Sequence, residues 1–138
     1  MMPAGRYFVG DLCYVLHAEW DEFCEITISG PKVLDGEFAL KDGRKFATYG
    51  TMYGDGEYSV LGSYTKIGVD AGLIGCIRLE DIDTTNPDND ISLGYIVEFE
   101  DEFETGETNG CIWFGDVQIE TGNSEDYQED DTEEGYYD

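Results

Sequence analysis

At 138 residues the chain is of single-domain size, long enough to bury a proper core, and 41% apolar with 14% aromatic residues exclude a wholly disordered chain. Thirty-two Asp and Glu against seven Lys and Arg leave a formal charge of −25, which argues against direct binding to nucleic acid or to an anionic membrane and favours cationic proteins as partners.

In chain order, Tyr7-Phe8-Val9 predicts a strand running into Gly10-Asp11, and residues 12–16 a second, buried strand. Residues 18–24 supply the one short helix, because Trp20, Phe23 and Cys24 stand at i, i+3 and i+4 on a face suited to plug one end of a β core. Residues 37–40 and 45–49 flank Asp42-Gly43, a two-residue turn sequence that predicts a tight hairpin. Gly54-Asp55-Gly56 marks the next reversal, followed by the run 57–61, and residues 67–69 open a further stretch that continues from Asp70 to Ile77. Residues 81–90 are a polar loop fixed by Pro87, and 93–99 and 111–119 are closing strands, the latter broken near Gly115. The pattern predicts an all-β fold, mainly an antiparallel sandwich or small barrel, with one short helix near residues 18–24. Trp20, Trp113 and Phe114 are expected in its core.

Two regions are expected. Residues 1–122 form an acidic β domain that keeps a balance of −17. Residues 123–138 hold eight acidic residues, no basic one and no aliphatic one, and read as a disordered acidic tail. No run of 18 apolar residues occurs and the first residues lack a signal-peptide pattern, so no membrane association and a cytoplasmic location are expected. Cys13, Cys24, Cys76 and Cys111 show no CxxC spacing and are expected to be reduced, buried thiols.

The segments GDLCYV (10–15), EWDEFC (19–24), TMYGDGEY (51–58) and VDAGLIGC (69–76) together resemble a family of short uncharacterised bacterial and bacteriophage proteins. The resemblance covers about residues 5–122 and implies a bacterial or phage cytosolic setting, in which proteins that bind and disable host factors are a known class.

The first candidate site is the acidic stretch from Val97 to Glu104. Strand alternation places Val97, Phe99 and Phe103 on one face and Glu98, Glu100, Glu102 and Glu104 on the other, with Asp101 in support. Same-face residues on a strand are about 6.6 to 6.8 Å apart, a spacing comparable with that of nucleic-acid charges, which rise about 3.4 Å per step along a wider path. Such a row is what a nucleic-acid mimic presents; a solvated edge that blocks unwanted strand pairing is the plainer alternative. The second candidate joins the turn carboxylates Asp11, Asp55 and Asp70 with Tyr14, Tyr53 and Tyr58 as a pocket for a small polar ligand, against the alternative that each Asp fixes its own turn.

The loop at 81–90 fails as a calcium loop, with Asn86 where Gly is required and Ser92 where Glu is required. His17 is the only histidine, so no two-His metal site can form, and neither metal nor cofactor is expected. None of the GxSxG, HExxH, GxxxxGK[ST] or GxGxxG patterns occurs, although spacing alone leaves a Cys/His nucleophile pair open. The expectation is a non-enzymatic acidic protein that engages a cationic partner, most concretely a nucleic-acid-binding protein whose basic groove it occupies. Acidity as a solubility or high-salt adaptation is a further alternative.

Overall fold

The computed structural model describes residues 1–121; the tail expected from residue 123 lies outside the described residues. Its centre is an open, fully antiparallel five-stranded sheet in the order β4 (Gly36–Ala39), β5 (Lys45–Gly50), β8 (Leu73–Arg78), β1 (Gly5–Gly10) and β9 (Tyr95–Phe99). Three consecutive buried residues in β1, Tyr7, Phe8 and Val9, show that the sheet is covered on both faces. Tyr7 and Val9 join Ala47, Tyr49, Ile74 and Cys76 in one core, whereas Phe8 joins Phe46, Leu73 and Ile77 in another.

The first core is closed by smaller β elements. The hairpin of β6 (Gly56–Ser59) and β7 (Lys66–Val69) supplies Tyr58, Ile67 and Val69. The sheet β10 (Thr105–Thr108), β11 (Cys111–Phe114), β12 (Val117–Glu120) supplies Ile112, Phe114 and Ile119. A bridge from Val60 to Ile119 joins these two units, and Tyr49 Oη lies 2.7 Å from Thr105 Oγ1 between the layers.

The second core is closed by helix α1 (Trp20–Thr27), a 3-10 turn at Leu12–Tyr14, and Leu40 and Ile82. A two-stranded hairpin, β2 (Ile28–Ser29) with β3 (Lys32–Val33), follows α1. The fold is thus all-β with one short helix, in open layers; the edges at β4 and β9 exclude the barrel alternative.

The hairpin around Asp42-Gly43 forms, but its turn takes in Lys41 as well: the Leu40 N–H donates to the Arg44 carbonyl at 2.8 Å, and Gly43, at φ +98°, donates to the Leu40 carbonyl at 2.9 Å. The break near Gly115 is the β11–β12 turn, with Gly115 at φ +58°.

The expected helix is present with shifted bounds, and one expectation on local structure is corrected. The helix starts at Trp20 and runs three residues past 24, to Thr27, whose hydroxyl bonds the Phe23 carbonyl at 2.9 Å. Residues 12–16 do not form a strand, because the Asp11 side chain accepts the Cys13 N–H at 2.9 Å and caps a 3-10 turn there. Gly75 makes room for that turn: a Cβ at this position would lie 2.8 Å from Leu12 Cδ1 and would collide with the Ala47 carbonyl oxygen.

Candidate functional site

The five acidic residues singled out in the sequence are all exposed and line one groove of about 690 Å³. The straight alternating row is not what forms it. β9 ends at Phe99, and the chain bends through Glu100 and Asp101 before Phe103 forms a bridge with Met2. Phe103 donates to the Met2 carbonyl at 3.0 Å and accepts from its N–H at 2.9 Å. The bend lets the two phenylalanines fold onto each other: Phe99 and Phe103 stack with centroids 3.8 Å apart, and both meet the buried Tyr7 ring edge-on. Glu98 alone keeps a strand position, opposite Arg6 of β1.

The groove is therefore acidic at its rim and aromatic at its floor. Asp116, from the β11–β12 turn, adds a sixth carboxylate, and Trp113 adds an indole. Trp113 was expected in the core; it is half-buried, because its ring lies over Gly106, its register partner in β10, where a Cβ would strike the ring. Among the described residues no lysine or arginine side chain lines this groove. None of its six carboxylates belongs to an ion pair among the described residues. The backbone amino group of Met1, also at the groove, is held by Glu37 at 2.9 Å.

The second candidate set is brought together only in part. Asp11 is completely buried; its Oδ1 takes the Cys13 N–H, and its Oδ2 takes the N–H groups of Asp70 at 2.8 Å and Ala71 at 2.6 Å. All of these bonds go to backbone, so Asp11 ties two turns together and does not face a ligand. Tyr14 Oη donates to Asp70 Oδ2 at 2.7 Å, and both residues line a second groove, of about 420 Å³, with Cys13, His17 and Trp20. Asp55 and Tyr53 are exposed on the neighbouring turn, and Tyr58 is buried with its hydroxyl donating to the Gly54 carbonyl at 2.8 Å. None of these three lines the groove.

Trp20 is the other tryptophan expected in the core. It stands at the first turn of α1, half-buried, with its ring stacked on Phe23 at 4.6 Å and 9°. The i, i+3 spacing predicts that contact but does not reveal that the indole also borders a groove. Of the four free thiols only Cys76 is fully buried, and Cys13, Cys24 and Cys111 are partly exposed. Burial, and then the bond and charge of Asp11, push the Cys13 thiol far above its ordinary range. That is the opposite of the environment that activates a nucleophilic cysteine, although Cys13 and His17 share the groove.

The loop at 81–90 is occupied with its own backbone. Asp83 Oδ1 accepts from Thr85 N at 3.0 Å, Asn86 Oδ1 from Asp88 N at 2.9 Å, and Asp90 Oδ1 from Ser92 N at 3.0 Å. The Thr85 and Ser92 hydroxyls hold Asp83 and Asp90 below the usual carboxylate range. Among the described residues no group of three or more His, Cys, Asp or Glu side chains is disposed to hold a metal ion, and no helix is long and apolar enough to cross a membrane. No protein-family model, curated protein or solved structure matches the chain.

Proposed function

We propose that the chain is a non-enzymatic binding protein whose acidic groove at 98–104 receives a cationic segment of a partner protein, most concretely the basic segment of a nucleic-acid-binding protein. The observation that carries this is the combination of six carboxylates without a basic side chain and an aromatic floor of Phe99, Phe103 and Trp113. Carboxylates accept bidentate hydrogen bonds from guanidinium groups, and aromatic faces attract the same cations. The bend after Phe99 favours a groove that encloses Arg or Lys side chains over a straight row that copies the phosphate spacing of a duplex.

The test is binding of an arginine-rich peptide to the full chain, read by fluorescence anisotropy. Neutralising Glu100, Glu102 and Glu104 together to Gln is expected to weaken binding by about a hundredfold, since charged hydrogen bonds contribute about 1.5 to 3 kcal/mol each and are not additive. A control variant neutralises Asp21, Glu25 and Asp88, which are exposed elsewhere and outside the groove. Equal losses in the two variants would show that bulk charge, and not this groove, attracts the peptide.

A further inference from the structure

The groove lined by Cys13, Tyr14, His17, Trp20 and Asp70 plays no part in that reading, and it is built from segments far apart in the chain. Its charged group is fixed at both ends. The Asp70 backbone N–H is held by the buried Asp11 carboxylate, and its side chain accepts a hydrogen bond from the Tyr14 hydroxyl at 2.7 Å. Among the described residues no lysine or arginine side chain lines the groove, His17 is its one imidazole, and Asp70 has no ion-pair partner.

The remaining wall is formed by the Trp20 indole with Cys13 and His17. Phe23 covers one face of the Trp20 ring, so the indole is anchored while it borders the groove. The 3-10 turn that carries Tyr14 is pinned by the Asp11 cap and by the Asp90 N–H, which donates to the Tyr14 carbonyl at 2.9 Å. A volume of about 420 Å³ suits a small molecule. A positioned carboxylate beside aromatic rings selects a cation, because both the charge and the ring quadrupoles favour it. An anion would meet Asp70 with the Asp11 charge behind it.

We propose that this groove binds a small organic cation with a flat body, its charged nitrogen on Asp70 and its body against Trp20 and Tyr14. The Tyr14 phenol keeps its proton, pushed far above its ordinary range by burial and by the bond to Asp70. It therefore donates to Asp70 and leaves the other carboxylate oxygen for the ligand.

Benzamidinium is a suitable probe, with benzoate and neutral benzamide as controls. The chain has two tryptophans, and Trp20 and Trp113 border different grooves, so their indole N–H resonances report the two sites separately. The expected result in about 0.15 M salt, where long-range charge attraction is screened, is a saturable shift of the Trp20 signal with benzamidinium and none with either control. Asp70→Asn is expected to weaken that titration about tenfold, the equivalent of one modest charge interaction. Should Asp70→Asn lose the native spectrum, Trp20→Leu carries the test through the His17 ring signals, with a similar loss expected.

The proposal is overturned if the Trp20 signal stays fixed up to about 10 mM benzamidinium, a concentration that detects even binding with a Kd of about 1 mM. It is equally overturned if benzoate moves that signal as much, or if the variants titrate like the unaltered chain. A shift confined to Trp113 would overturn this site while supporting cation binding in the acidic groove, so the two ideas fail separately.

Discussion

The buried carboxylate of Asp11 accepts the backbone N–H of Asp70 at 2.8 Å, across 59 positions of sequence. Through its other oxygen it also caps the 3-10 turn that carries Tyr14. One side chain thus fixes both halves of the second groove and offers it no free oxygen of its own. Asp11→Ala would leave the N–H groups of Cys13, Asp70 and Ala71 without this acceptor. A loss of about 2 to 3 kcal/mol is expected, since a donor left unmade costs about 1 to 3 kcal/mol when buried and less at part-buried bonds such as these three, where water replaces some of it. Urea denaturation measures it; a loss below about 1 kcal/mol would show that water or neighbouring groups replace the carboxylate.

How much of this was legible in the sequence follows from the range of the interactions involved. Local patterns were readable: the Asp42-Gly43 hairpin, the reversal at Gly115 and the aromatic face of α1 are all decided within a few residues. The 3-10 turn at Leu12–Tyr14 was not, because an apolar run of five residues suits a buried strand equally well. What overrides the run is the Asp11 cap, together with Gly75, whose missing side chain leaves space for Leu12. The acidic stretch was legible as a cluster but not as a groove. Its shape depends on the Met2–Phe103 bridge and on Trp113 lying over Gly106, contacts that no spacing in the sequence reveals.

Gly75→Ala tests the close approach of β8 to the 3-10 turn. The added methyl would press on Leu12 Cδ1 and the Ala47 carbonyl oxygen, one a side chain and the other backbone of a neighbouring strand. Overpacking of this kind costs about 1 to 3 kcal/mol. Because Leu12 must retreat, the Tyr14 resonances should move as well. An alanine variant with unchanged stability would mean that β5 and β8 separate without penalty.

Alkaline pH should destabilise the fold. Burial, its largest cause in each case, pushes the Cys76, Cys13, Tyr7 and Tyr14 protons above their ordinary range. The native state therefore keeps protons that the unfolded chain releases, so stability is full below the ordinary values of about 8.5 for thiols and 10 for phenols. It is lost as pH rises from there toward the raised native values. Urea midpoints measured at fixed high salt, to limit general charge repulsion, should fall steadily above about pH 8.5. Cys76→Ala removes one of the two fully buried groups among these and should flatten the decline. An identical slope in that variant would place the effect elsewhere.

Trp113 and Gly106 offer a way to separate the aromatic floor of the acidic groove from its charge. The indole lies over Gly106 because that residue has no Cβ, and an alanine there must displace the ring. Trp113→Leu removes the ring faces while leaving all six carboxylates and an apolar side chain in place. If the floor contributes cation–π attraction of about 0.5 to 2 kcal/mol, affinity for an arginine-rich peptide should fall about two- to thirtyfold. Gly106→Ala should lower it in the same direction by tilting the ring. Charge steering acts mainly on the association rate and on its dependence on salt, so both should stay nearly constant while dissociation accelerates. Unchanged dissociation in both variants would reduce the groove to its carboxylates; a slower association with the same dissociation would show that Trp113 shapes the entrance instead of holding the bound cation.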